Sequence, residues 1–321
     1  MNNPKISIIV LTYNHEKYLR QCIDNILNQE VNVDYEVLIG NDKSPDNTEK
    51  ILNEYAKKYP EKIKPINRVV NIGATNNFYD LICRAKGDFI TSIETDDYWT
   101  DKTKLQKLYD FLLDNSDYVG VFHSVTEVDE NGVELSKYPR KNLKKYVDEI
   151  KSIEEFLKLS IKDNLSQVFH IQSLFFRNVF KRSISRDLEK YMTSTKMICD
   201  LNTKLFVLSK GKIKFIDKDM GVYRRIRKKD GTSFSSQNQR FIFNETSVLW
   251  ETINKFYEYK YNKVIIKIKK IIKINYFFNL RIINEKDDEI SNSLSVVEKT
   301  HVLMKYILWK VKSILKGRFR R

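Results

Sequence analysis

Cysteine is scarce in this chain: Cys22, Cys83 and Cys199 are the only three in 321 residues, and no two form a C-x-x-C pair. That spacing argues against a disulfide framework and against a zinc site, and it fits a reducing cytoplasm. Long apolar runs are also missing. No uninterrupted stretch approaches the ~18 residues of a membrane-spanning helix, so a soluble or peripheral protein is expected. Thr12-Tyr13-Asn14-His15, which follows the first strand-like run, contains no glycine, so no glycine-rich phosphate loop stands there. Met1-Asn2-Asn3-Pro4-Lys5 leads straight into that run, and no signal peptide is expected.

Negative charge is in short supply. Asp and Glu number 42 against 57 Lys and Arg, a net charge of +15. The surplus lies from Lys181 onward, above all in 262–273 and 305–321, and implies an anionic partner: phosphate groups, an acidic membrane surface or nucleic acid. Apolar residues make up 41% and aromatics 12%, enough for a sizeable core. The length suits one large domain with an appendage, or two domains.

Residues 5–12 form a near-continuous β-branched run, as in a strand buried on both faces. Helical spacing follows at 16–29 through Leu19, Ile23, Ile26 and Leu27. Further strands are predicted at 35–40, 63–66 and 88–93, with helices at 47–58 (Asp46 as N-cap, Glu49 three residues on) and 74–85. This alternation with short connections predicts a mainly parallel, right-handed doubly wound α/β sheet flanked by helices. After it come a helix at 101–115, a strand at 118–125 and a hairpin signal at Asn131-Gly132. Residues 136–165 read as a polar loop and a helix at 152–160, followed by an apolar segment at 168–177. A helix is predicted at about 199–209, short strands at 212–216 and 221–223, and only helices beyond 235 (238–259, 261–283 and 293–315).

The organising stretch is Phe89-Ile90-Thr91-Ser92-Ile93-Glu94-Thr95-Asp96-Asp97-Tyr98-Trp99. A buried strand climbs to two adjacent carboxylates at its carboxyl end, where open α/β sheets bind their ligands. Two such carboxylates repel one another unless positive charge is present. A hard divalent cation shared with a substrate diphosphate would supply it. The competing reading is that Asp97 or Asp101 caps the next helix.

Taken in order, residues 6–14, Asp42-Lys43-Ser44-Pro45-Asp46-Asn47-Thr48 and Thr95-Asp96-Asp97 resemble the family 2 glycosyltransferases. The resemblance covers roughly residues 4–225. It implies a GT-A, Rossmann-like catalytic domain over 1–230, with a nucleotide-binding half at about 1–97 and an acceptor-binding half at about 98–230. A basic helical C-terminal region, 231–321, would follow. It further implies an inverting transfer from a nucleotide-diphosphate sugar, a UDP-sugar being favoured, with Mn2+ or Mg2+ as cofactor. Thr12 and Tyr13 fall where the family approaches base and ribose, and Asp42 where a carboxylate accepts a hydrogen bond from the base. Asn41 replaces an acidic residue frequent there. Asp96 and Asp97 match the metal-binding motif, the second as the direct ligand. Asp200 matches the catalytic base, although Cys199 departs from the Gly or Glu that often precedes it. Met220-Gly221-Val222-Tyr223-Arg224-Arg225 matches a strand-end motif near the diphosphate, and Ile226-Arg227-Lys228-Lys229 lacks the His that often follows. Gln237-Asn238-Gln239-Arg240-Phe241 only faintly resembles the Q-x-x-R-W signature of processive synthases.

Each role has a plainer competitor. Asp42 could stabilise a turn with Asn41 and Ser44, Asp200 could be an N-cap, and Arg224 and Arg225 could be solvated. His170 in an apolar stretch reads as structural, and Trp99 as either a sugar platform or core. In 263–273 and 306–312 apolar and basic residues mix, giving a stripe suited to an anionic membrane or to packing on the catalytic domain or another subunit, as in a homo-oligomer. The expected setting is the cytoplasmic face of the cell membrane, with a glycan or lipid-linked acceptor in surface-polysaccharide synthesis. A sugar-nucleotide nucleotidyltransferase would want the missing glycine loop. A non-catalytic basic membrane or nucleic-acid binder would not place acids at the strand ends, and no nucleic acid is expected.

Overall fold

The computed structural model describes residues 4–162, 165, 168–196, 200–226, 238–282 and 287–318. Cys199, Arg227-Lys228-Lys229, Gln237 and Phe319-Arg320-Arg321 lie outside them, as do the side chains beyond Leu308. The chain forms two compact units, Met1–Arg227 and Lys228–Arg321.

The first unit is built on one mixed sheet. Strands β1 (Ile6–Thr12), β2 (Tyr35–Asn41), β3 (Ile63–Asn67) and β4 (Phe89–Glu94) pair in parallel in the order β3-β2-β1-β4. Helices α1 (Glu16–Leu27), α2 (Thr48–Lys58) and α3 (Ala74–Arg84) connect them. β1 lies between β2 and β4, and its β-branched run is buried on both faces, as in parallel sheets whose faces are covered by the crossover helices. Ile8, Val10, Ile39 and Ile93 join Leu105, Leu108, Phe175 and Met220 in one core. Burial of each such side chain contributes about 1.5–3 kcal/mol. The register sets Thr12 opposite Asn41 and Leu11 opposite Glu94, so three strands end level on one edge.

Beyond β4 the sheet departs from the parallel pattern. β5 (Tyr98–Trp99) is too short to read from sequence and pairs antiparallel with β10 (Lys212–Arg225). β6 (Tyr118–Asp129) turns through Asn131-Gly132 into β7 (Glu134–Tyr138), so the predicted hairpin is present. Residues 136–165 hold α5 (Lys141–Lys144), β8 (Glu149–Ile150) and α6 (Ile153–Lys162). A 3-10 turn at Ile171–Ser173 leads into β9 (Phe175–Arg177), which pairs antiparallel with both β4 and β6. α7 (Arg186–Met192) and α8 (Asp200–Leu208) follow. The two short strands expected at 212–216 and 221–223 are one strand: β10 runs beside β6 through irregular register at Ile216–Asp219, where the polar Asp217-Lys218-Asp219 interrupts the apolar pattern.

Two local expectations change. Asp46 is not paired with Glu49. Its carboxylate accepts the N–H groups of Thr48 (3.1 Å) and Glu16 (3.0 Å), and Glu16 accepts the Asn47 N–H at 2.8 Å. The starts of α1 and α2 are thus clamped reciprocally. The helix predicted from residue 101 begins later, as α4 (Lys104–Asp114), because Asp101 accepts bonds from Thr103 N–H (2.9 Å) and hydroxyl (2.8 Å) just ahead of it.

Asp101 also pairs with Lys107 and Lys218, each at 2.7 Å, tying α4 to β10. Burial alone would raise its pKa, but these lysines and Thr103 outweigh burial and hold it well below the usual carboxylate range. A depressed folded pKa gives stability that is present above the unfolded value and lost as pH falls through the folded one. Asp101→Asn is therefore expected to lower Tm by a few degrees at neutral pH, with the gap closing in strong acid. Thermal melts of both proteins across pH check this.

The second unit is helical, as expected: α9 (Gln239–Phe256), α10 (Asn262–Ile282), α11 (Asp288–Asn292) and α12 (Val296–Arg318). Phe277, Leu294 and Val302 form a small core, and Phe243 stacks on Tyr276 with centroids 4.4 Å apart. No helix among the described residues is long and apolar enough to cross a membrane.

Candidate functional site

The level edge of β1, β2 and β4 gathers most of the residues singled out in the sequence. Thr12 is buried with its hydroxyl oxygen unpartnered, and Tyr13 beside it is 49% exposed. Asn14 turns the chain with φ 58° and donates its N–H to Ser44 Oγ at 3.0 Å. Asn41 accepts the Ser44 N–H at 3.1 Å and donates to Asn67 at 3.0 Å. Asp42 is buried and accepts the N–H groups of Ile72 (2.8 Å) and Gly73 (2.9 Å). Gly73 holds φ 83°, a conformation that favours glycine, so residue type and carboxylate together fix the loop that starts α3. Each Asp42 oxygen keeps a further lone pair.

Three carboxylates crowd the end of β4. Asp97 is 1% exposed, and both its oxygens are held from within: Oδ2 by Gln172 Nε2 at 3.0 Å and Oδ1 by the Arg224 N–H at 2.9 Å. Asp96 is half-buried, and its Oδ1 is shielded from water without a partner. Glu94 keeps an accessible surface at the end of the strand. Loss of solvation, then the charges of Asp96 and Asp200, push Glu94 up to about 8. Burial, then Asp96 and Glu94, raise Asp97 well above the carboxylate range, against the Arg224 N–H. Burial raises Asp96 too, opposed by His15 and Arg224.

Among the described residues, Arg224 is a fixed cation that reaches these acids directly. Its guanidinium donates to the Asp96 carbonyl oxygen and, at 3.1 Å, to Gln21 Oε1. Tyr18 and Tyr98 also cradle it, with ring centroids 4.5 and 5.1 Å away. Two of its five N–H donors are used by these oxygens. Arg225 instead pairs with the buried Glu127, which Arg140 also approaches at 3.6 Å. Asp200 opens α8, and Lys204 Nζ lies 3.9 Å from its Oδ2. Its charge adds to the upward shift of Glu94. Trp99 is buried beneath Lys104, whose Nζ stands 4.0 Å from the ring centroid. His170 is buried, stacked on Tyr223 at 4.3 Å, and held to about 3 by burial and by Lys204 and Lys104.

Sequence reasoning passed over Glu94, Gln172, His15 and the two tyrosines around Arg224. Glu94 was findable, since a carboxylate closing a β-branched run two residues before Asp96 breaks the strand pattern. His15, which contacts Thr95 Oγ1 at 3.1 Å, follows directly on the Tyr13-Asn14 turn. Nothing local marks Gln172, whose role is wholly tertiary. Among the described residues, no three His, Cys, Asp or Glu side chains stand grouped as a ready metal site.

The fold is that of the GT-A glycosyltransferases. It is shared with a mannosyltransferase, PcManGT from Pyrobaculum calidifontis, in complex with GDP-Man and Mn2+ (TM-score 0.53, 14% identity, covering 96% of this chain and 81% of that one). It is shared as well with S. aureus TarS 1-349 in complex with UDP-GlcNAc (TM-score 0.50, 18% identity, 86% and 81%). Residues 7–183, more than half of the chain, match the glycosyl transferase family 2, and the chain belongs to that family. An uncharacterized Mycobacterium tuberculosis protein, Rv1520, is 38% identical over 134 residues, 42% of this chain and 39% of that protein. A Bacillus spizizenii poly(ribitol-phosphate) beta-glucosyltransferase is 40% identical over 115 residues, 35% of this chain and 18% of that enzyme. The chain thus matches about two-fifths of the length of the former and under one-fifth of the latter.

Proposed function

We propose that this chain is an inverting glycosyltransferase that moves one sugar from a nucleotide-diphosphate sugar to a hydroxyl of a glycan or lipid-linked acceptor. The observation that carries the reading is the gathering of Glu94, Asp96, Asp97 and Arg224 at the strand edge, with the Asp200 charge acting on Glu94. A donor diphosphate brings negative charge to a site already crowded with carboxylates, a conflict that a divalent cation would relieve. The donor set suits one: oxygens only, and Asp96 Oδ1 shielded without a partner. Asp96 and Asp97 would hold Mn2+ or Mg2+, which when bound neutralises charge developing on the leaving phosphate.

The chain's own residues do the rest. Thr12, Tyr13 and Asp42 receive the nucleoside, with Asp42's remaining lone pairs facing the base. A UDP-sugar is favoured by Asp42, and the UDP-GlcNAc bound to TarS is in keeping with it. Arg224 directs its unused N–H groups at the diphosphate, its plane set by Tyr18 and Tyr98. Arg225, neutralised by Glu127, lies further from that task. Asp200 accepts the acceptor hydroxyl proton as oxygen bonds to the anomeric carbon and the carbon–phosphate oxygen bond breaks on the opposite face. One displacement inverts that carbon.

The donor half is residues 1–97 and the acceptor half 98–230. The basic region 231–321 exposes Val296, Val297, Leu303, Met304, Ile307 and Leu308 along α12, a stripe suited to the inner face of an anionic membrane, where lipid-linked acceptors of surface polysaccharides lie.

The test is release of nucleoside diphosphate from a panel of nucleotide sugars, with Mn2+, with Mg2+ and with chelator. Many transferases slowly pass their sugar to water, so no acceptor is required. One donor should turn over with metal and stop with chelator. No turnover and no metal-dependent nucleotide binding across the panel would sink the reading.

A further inference from the structure

Behind the strand edge lies a buried polar chain that the transfer chemistry does not use. Gln172 is fully buried on the 3-10 turn ahead of β9, in the half distant in sequence from the acids. Its Nε2 donates twice, to Asp97 Oδ2 at 3.0 Å and to the Val222 carbonyl at 2.9 Å. Both partners are acceptors, so the carboxamide can face only one way. Its own backbone carbonyl accepts Lys104 Nζ at 2.8 Å, and Lys104 too is fully buried. Gly221 leaves the room: a Cβ there would stand 2.8 Å from Gln172 Oε1. One amide group therefore joins three segments: the end of β4, the end of β10 and the turn before β9.

Two residues beyond Val222 stands Arg224, whose N–H reaches the other oxygen of the same Asp97. A buried carboxylate held on one oxygen alone could still rotate. Held on both, it fixes the plane in which any ligand meets it, and it fixes Arg224 at the same time. We propose that Gln172 is a positioning residue of the donor site, locking the Asp97 carboxylate to β10 so that Asp97 and Arg224 meet the metal and the diphosphate in fixed register. The inference rests on the transferase reading, but its central observable, the tether, does not.

Gln172→Met keeps the volume and removes both donors, and Gln172→Leu removes them with a shorter side chain. In both, the apparent Kd for Mn2+, read from free Mn2+ by electron paramagnetic resonance, should rise about 10- to 100-fold. The kcat for donor release should fall by a similar factor, and amide exchange across 222–225 should quicken. A residue that only fills space would lower Tm and leave Mn2+ affinity and that exchange unchanged, and this result overturns the proposal.

Should both variants fail to fold, the wild-type protein decides. Its Gln172 side-chain amide protons should be protected from exchange and should shift as Mg2+ is added; rapid exchange without a shift rejects the tether. Protected protons and Mn2+ binding with no nucleotide-sugar turnover would instead remove the transferase reading and leave the tether standing.

Discussion

Asp200→Asn is expected to cut turnover of the nucleotide sugar by about 10²- to 10⁴-fold, the usual weight of a positioned general base. Binding of the donor should be unchanged. The substitution is nearly isosteric; it removes the capacity to take a proton, together with the charge that acts on Glu94 and stands 3.9 Å from Lys204 Nζ. Asp200 is the first residue of α8, where the helix dipole favours an anion and where Asn is also well tolerated. Helix integrity is therefore preserved, and Tm should move little. Calorimetric titration of the nucleotide sugar, beside a product-release assay, separates binding from chemistry: a fall in kcat with constant Kd is the expected pattern. Unaltered kcat would reduce Asp200 to a helix-opening residue.

How much of this was legible beforehand depends on how local each signal is. The parallel core β3-β2-β1-β4 could be read because buried parallel strands are short β-branched runs punctuated by turns, and residues 5–12 and 88–93 carry that pattern undiluted. β10 could not be read as one strand, since Asp217-Lys218-Asp219 interrupts its apolar rhythm and only pairing with β6 carries the chain through. β5 is two residues long and exists because Gly221 and Val222 pair with it. In the site, Asp96, Asp97 and Arg224 stood out as charges at strand ends, and the structure gathers them. Neither the pinning of Asp97 from inside nor the pairing of Arg225 with Glu127 has any sequence signature. Both depend on which segments the fold lays side by side. A buried glutamine 75 residues from its carboxylate partner is legible only once the sheet is closed.

Adjacent carboxylates with such different surroundings should also fail differently. Asp97→Ala is expected to abolish metal-dependent release, by about 10³-fold or more, because it removes an oxygen donor and unpins Arg224 together. In stability it should cost only modestly. The Arg224 N–H loses its acceptor, at about 1–3 kcal/mol for a buried unsatisfied donor, while Gln172 Nε2 retains the Val222 carbonyl. Against this, removing the side chain relieves the burial and the repulsion by Asp96 and Glu94 that raise Asp97. Tm without metal should therefore drop by a few degrees at most. Asp96→Ala should be as inactive, yet Asp96 Oδ1 has no hydrogen bond to lose and is shielded from water. Burial of the charge outweighs the attraction of His15 and Arg224 that is lost with it, so Tm without metal should rise. Addition of Mn2+ should then stabilise the wild-type protein and neither variant. Paired melts with and without Mn2+, beside the release assay, read all of this directly. An Asp97→Ala protein that kept metal-dependent release would place the cation elsewhere, and a fall in Tm for Asp96→Ala would mean that its carboxylate is held by partners more strongly than burial penalises it.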